Sequence, residues 1–123
     1  MAENNILAEK SIEFAIRIVK CYKYLTEKKN EHIMSKQILR SGTSIGANIS
    51  ESQGAQSTPD FISKLHISLK EARETEYWLL VLYKSEKISE AEYNSMYNDL
   101  NELISLLVSI LKTIKTGSEN LNS

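Results

Sequence analysis

The sequence predicts an all-α protein, an up-down-up-down bundle of four helices, and three observations lead there. Pro59 is the only proline in 123 residues and few segments alternate with period two, so helices meet little obstruction and strands have little support. Apolar side chains recur in steps of three and four along most of the chain, the spacing that gathers them on one face of a helix. The breaks in this pattern fall near residues 30, 57 and 87 and are short, as links between antiparallel neighbours are. The prediction is helices at about 5–28, 35–56, 58–86 and 89–116, one domain over 1–117, and a frayed tail over 118–123.

In the first helix Leu7, Ser11, Phe14, Ile18, Cys21/Tyr22 and Leu25 form the inward seam, and the polar run EKKNE at 27–31 ends it. The second is ambiguous on composition alone. Residues 40–56 read RSGTSIGANISESQGAQ, with three glycines and four serines in seventeen residues, which is loop-like. Yet Ile38, Gly42, Ile45, Gly46 and Ile49 fall on one broad helical face. With helices on both sides, the segment is read as a helix with Ser35 as its N-cap. Glycine inside a helix costs about 1 kcal/mol against alanine, so Gly42 and Gly46 need a reason. Small residues there let a neighbouring helix approach closely or let the helix bend.

The third helix has the clearest start. In STPDF, Thr58 suits the N-cap, Pro59 the first helical position and Asp60 the positive end of the helix dipole. Phe61, Leu65, Leu69, Ala72, Leu79 and Tyr83 form its seam. The fourth opens with Ser89 and Glu92 at capping-box spacing. Met96, Leu100, Leu103, Leu107, Ile110 and Ile114 then step down one face, and Gly117 is placed to stop the helix.

A lone bundle needs one apolar stripe per helix, and several helices carry more. Ile12, Ile16 and Val19 lie away from the first seam, and Ile67, Trp78 and Val81 lie roughly opposite the third. On the fourth helix apolar residues from Leu106 round to Val108 cover more than half the circumference. Second faces of this kind predict burial against something else, and self-association is the economical expectation. Helix two adds a polar stripe of Gln37, Ser44, Asn48 and Glu51. Glu74, set between Ile67 and Trp78, is expected to accept hydrogen bonds from Ser44, Asn48 or a partner chain's Arg40. Such groups more often fix register or subunit geometry than perform chemistry.

Composition excludes several classes. The apolar run Trp78 to Tyr83 is far short of the roughly 18 residues of a membrane span. The acidic opening residues do not suit a signal peptide, so a cytoplasmic location is expected. Cys21 is the only cysteine, which forbids an internal disulfide or a cysteine-based zinc site and suggests a buried thiol. His32 and His66 form no Glu-x-x-His pair, and no phosphate loop or nucleophile elbow is present. No enzyme, cofactor or metal is expected, although Glu71, Glu74 and Glu76 with Arg73 invite the thought of an acid–base cluster. The formal net charge of −1 argues against strong nucleic-acid binding. Residues 1–40 nonetheless hold eight Lys/Arg against five Glu. Lys10, Arg17, Lys20, Lys23 and Arg40 are therefore the candidate phosphate contacts.

Two stretches carry a resemblance: LRSGTSIGANISESQGAQS at 39–57, followed by DFISKLHISLKEARETEYWLLVL at 60–82. With FAIRIVKCYKYL at 14–25 they make the chain similar to small bacterial four-helix-bundle proteins encoded by intervening sequences of 23S ribosomal RNA genes. The resemblance implies ring-shaped homopentamers, hence a partnership of the chain with itself. It also implies kinship with retroelement accessory proteins that bind reverse transcriptase and nucleic acid. Its signature positions here are Ser44, Ile45, Ala47, Asn48, Ile49, Glu51 and Glu74; Trp78 joins them as an expected interface residue. This chain departs from the accessory proteins in charge, being near neutral where they are strongly basic.

Overall fold

A computed structural model describes residues 2–122 of the chain, and the side chains of residues 5–117. Among the described residues all regular structure is helical: α1 (Ala2–Glu27), α2 (Met34–Gln53), α3 (Thr58–Lys84) and α4 (Glu90–Asn122). Each helix packs against two neighbours, α1 on α2 and α4, and α3 on α2 and α4, while the backbones of α1 and α3 stay apart across the diagonal among the described residues. Contacts between α2 and α3 run in opposite chain directions. Glu51 reaches Lys64, Ile45 meets Ser68 and Ser41 meets Thr75 across α2 and α3.

Most of the seam residues read from the sequence are the core, while Cys21, Phe61, Leu69, Tyr83 and Ile114 are half-buried against it. Leu7, Phe14, Ile18 and Leu25 of α1, Ile38, Ile45 and Ile49 of α2, Leu65, Ala72 and Leu79 of α3, and Met96, Leu100, Leu103, Leu107 and Ile110 of α4 are all buried in one cluster. Burying side chains of this size is worth about 1.5–3 kcal/mol each before entropy is counted. Hydroxyls sit among them. Ser68 Oγ donates to the Ile45 carbonyl at 2.9 Å, and Thr75 Oγ1 lies 2.9 Å from Ser41 Oγ, all within the buried α2–α3 contact.

The loop-like segment is helix, and its glycines have the predicted reason. A Cβ on Gly42 would lie 2.7 Å from Cδ1 and Cγ1 of Ile18, and one on Gly46 3.2 Å from Ser11 Oγ. Hydrogens at those positions let α1 and α2 approach closely.

Helix ends differ from the expectation. Ser35 does not cap α2: it is inside the helix, fully buried, and its Oγ has no hydrogen-bond partner. The cap is Glu31, whose carboxylate accepts from the backbone N–H groups of Ile33 at 3.2 Å, Met34 at 3.1 Å and Ser35 at 2.7 Å. A glutamate reaching forward from the turn satisfies donors that a serine within the helix cannot. At α3 the cap is Ser57, one residue before Thr58; its Oγ accepts from Asp60 N–H at 3.2 Å, leaving Pro59 in the first turn. The box at α4 forms as read, with Glu92 N–H on Ser89 Oγ at 3.1 Å and Ser89 N–H on the Glu92 carboxylate at 3.0 Å.

Three C-terminal boundaries also move. α2 ends at Gln53 and α3 at Lys84, each short of the expected end. α4 passes through Gly117 to Asn122, because Gly117 keeps a helical backbone and no glycine takes the left-handed conformation that ends a helix. The expected tail over 118–123 has its side chains outside the described residues. The left-handed positions are Asn30 and Glu86, with φ of 52° and 64°, in the turns after α1 and α3. After α3 the Lys87 N–H bonds the Leu82 carbonyl at 2.8 Å and the Glu86 N–H the Tyr83 carbonyl at 3.0 Å. This is the Schellman closure, with glutamate where glycine is usual.

Candidate functional site

The polar stripe of α2 and the second apolar face of α3 meet along one side of the bundle. On α2 the stripe is mostly bonded to its own helix. Ser44 Oγ donates to the Arg40 carbonyl at 2.6 Å, and Asn48 Nδ2 donates to the Ser44 carbonyl at 2.9 Å. Neither reaches Glu74, contrary to the expectation. Ile45 and Ile49, two of the signature positions, are core residues. Glu51 is exposed and lies 3.4 Å from Lys64 Nζ.

Glu74 is instead held by Arg40 of the same chain, whose Nη2 donates to its Oε2, while Nη1 donates to Glu71 at 3.1 Å. Trp78 Nε1, one turn further along α3, donates to the same Oε2 of Glu74 at 3.0 Å. Glu71 and Glu74 are both substantially covered, while Arg40 is about half exposed. One guanidinium thus clips α2 to α3 through two carboxylates a turn apart, the forked geometry that arginine suits and lysine does not. Glu76 pairs with Arg73 at 3.6 Å. All three glutamates of the imagined acid–base cluster face a guanidinium, and Glu76 is on a different side of α3 from the other two.

The candidate phosphate contacts divide. Lys10 lies 2.6 Å from Glu102, and Arg17 2.6 Å from Asp99 with further bonds to Ser95, tying α1 to α4. Donation of a hydrogen bond to Glu102, joined by the charge of that carboxylate, pushes the Lys10 ammonium above its ordinary range. Arg40 is held as described, so three of the five cations face carboxylates. Lys20 and Lys23 are exposed and make no ion pair among the described residues.

The second apolar faces are open. Ile12, Ile16 and Val19 of α1 are 60%, 51% and 39% exposed, and Ile67 of α3 is 38% exposed; Trp78 and Val81 beside it are half-buried. Sequence reasoning found these residues because each breaks the single-stripe rule. It missed Arg40 as the intrachain clip, since only the packing of α2 on α3 shows which carboxylates it reaches.

Cys21 is half-buried rather than buried. It lines a groove of about 510 Å³ between α1 and α4 with Arg17, Lys20, Tyr24, Glu92 and Met96. Burial, aided by the charge of Glu92 and opposed by Arg17, pushes its thiol up to about 11, so it stays protonated and unreactive at neutral pH. Among the described residues no group of three His, Cys, Asp or Glu side chains is arranged to hold a metal ion, and no helix is long and apolar enough to cross a membrane.

Comparison with known proteins adds to this geometry. A family model described as 23S rRNA-intervening sequence protein matches residues 3–109. A crystal structure of a protein of unknown function from the S23 ribosomal protein family, from Bacteroides thetaiotaomicron VPI-5482, is similar at 56% identity with a TM-score of 0.89. The match covers 89% of this chain and 98% of that one. No curated protein sequence matches significantly.

Proposed function

The chain belongs to the 23S rRNA-intervening sequence protein family, and from that premise we propose that it is a non-enzymatic scaffold or adaptor of the cytoplasm. In this reading the antiparallel contacts are those of an up-down-up-down bundle, and copies of the bundle join into a ring-shaped homo-oligomer of five. Its work is recognition by a symmetric surface, with no cofactor or metal. The observation that carries the proposal is the pair of exposed apolar faces, Ile12/Ile16/Val19 on α1 and Ile67 with its neighbours on α3. Water-facing isoleucines in two separate stripes are surfaces that a partner covers, and a second copy is the partner always present.

Nucleic-acid recognition through Lys10, Arg17, Lys20, Lys23 and Arg40 has less to support it. Phosphate binding needs cations free to replace counterions, and Lys10, Arg17 and Arg40 already face carboxylates. Light scattering behind a sizing column tests the scaffold reading. The expected mass is a small multiple of 14.0 kDa, and a monomer at micromolar concentration would overturn it.

A further inference from the structure

Self-assembly alone does not say which surfaces meet. The α1 face and the α3 face belong to helices that sit across the diagonal of the bundle, so they point to different sides of the molecule. A two-fold dimer through either face would leave the other in water. Resting on the scaffold reading, we propose that the α1 face of one copy (Ile12, Ile16, Val19) docks on the α3 face of the next (Ile67, Trp78, Val81), head to tail around a ring.

Three features of the chain fit this junction. The first is height along the bundle. Ser11 is level with Gly46, and Ile45 with Ser68; Ile18 is level with Gly42, and Ser41 with Thr75. The stripe from Ile12 to Val19 therefore lies level with α3 from just past Ile67 to just past Glu74, with Trp78 less than a turn beyond it and Val81 about a turn and a half beyond. α1 and α3 also run in the same direction, so neighbouring copies related by rotation alone bring the stripes side by side. A head-to-tail contact without a rise closes, whereas one with a rise makes a filament.

The second is curvature. From the ~100° turn between successive helical residues, both stripes lean from straight outward towards the α2 side, leaving roughly 80–120° between their directions. Such an angle closes a ring of about four to six copies with α2 on the inside. Lys36, Thr43, Ala47 and Ser50, on the outer side of α2, then face the centre, and this is the outer surface poorest in large apolar groups.

The third is charge. The α3 face has Glu74 at its middle, with Arg40 and Trp78 both on Oε2 and no protein donor on Oε1 among the described residues. The α1 face is bordered by Lys20 and Lys23, exposed and without an ion pair among the described residues. Docking brings an ammonium group of one copy to the open carboxylate oxygen of the next, a charge-assisted contact that fixes the register of an otherwise apolar seam.

The test uses the full-length chain and two surface variants, Ile16→Asp and Ile67→Asp, each checked for unchanged helicity by circular dichroism. Light scattering of wild type, each variant alone and a one-to-one mixture is compared at a concentration where the wild type is assembled. Head-to-tail docking gives monomers for each variant alone and a doubled mass for the mixture, because each variant supplies the face that the other lacks. Three results overturn it: either variant keeping the wild-type mass, either variant alone forming a dimer through its untouched face, or a mixture that stays monomeric. A monomeric wild type is a different failure, since it removes the scaffold reading itself.

Discussion

Glu31 holds the start of α2 with a single side chain, and three backbone donors on one carboxylate make it the position most sensitive to acid. Burial pushes this carboxyl up, but hydrogen bonds from Ser35, Met34 and Ile33 outweigh that and hold it below its ordinary value of 4.5. The unfolded chain titrates at the ordinary value, so the stabilisation is complete above it and is lost as pH falls through the lowered folded value. Glu31→Ala is expected to lower stability by about 1–2 kcal/mol at neutral pH. In thermal melts the gap between wild type and variant should close on the acid side of the ordinary carboxylate range; a gap that persists there would show that Glu31 acts through packing instead. The glycines give a second residue-scale prediction. At Gly117 no atom lies within 4 Å of an added Cβ, so Gly117→Ala should raise stability by up to about 1 kcal/mol. At Gly42 the same methyl meets Ile18 at 2.7 Å, and overpacking of about 1–3 kcal/mol outweighs the gain in helix propensity. Melting temperatures should therefore rank Gly117→Ala above wild type and Gly42→Ala below it. That Gly42 needed a close neighbour was legible in the sequence; that Ile18 is that neighbour was not, because no local spacing ties residue 18 to residue 42.

At the scale of the helix, the seams were legible nearly residue by residue and the ends were not. Apolar periodicity repeats over many turns and averages out errors, whereas a cap depends on one side chain and one backbone geometry. Ser35 and Thr58 have the right chemistry for caps, yet each sits one or two residues inside a helix that another residue caps. The buried hydroxyls escaped notice for a related reason. A serine or threonine on a core face looks polar in sequence, and only the packing of α2 on α3 shows that Ser41 and Thr75 answer each other. Thr75→Val removes the partner of a buried hydroxyl and should cost about 1–3 kcal/mol, while Ser41→Ala with Thr75→Val should cost less than the sum of the singles. Chemical denaturation of the four proteins in that cycle measures the coupling, and strict additivity would show that the two hydroxyls are independent. The turn after α3 holds a reserve of stability. Glu86 is left-handed at φ 64°, a conformation that costs a residue with a Cβ about 1–2 kcal/mol. Glu86→Gly should recover about 1 kcal/mol in the same measurement.

For the whole molecule, the informative quantity is apolar surface left over after the core is full. It was legible because a helix has only one side to give to a single core, so Ile12, Ile16 and Ile67 stand out by their spacing alone. The electrostatic picture was less legible. Lys10, Arg17 and Arg40 look like free cations in sequence, and the fold brings each against a carboxylate contributed by another helix. With those three engaged and the chain near neutral, single-stranded RNA is expected to show no retardation in low-salt gels; a shift that weakens steeply with added salt would restore phosphate recognition. The fold also gives the molecule an optical address. Trp78 is the only tryptophan in the chain, it is half-buried on the α3 face, and its indole N–H is bonded to Glu74. All of the tryptophan emission therefore originates at one surface position, so its colour and its quenching by dissolved iodide track the wetting of that position on dilution, without a label or an engineered probe.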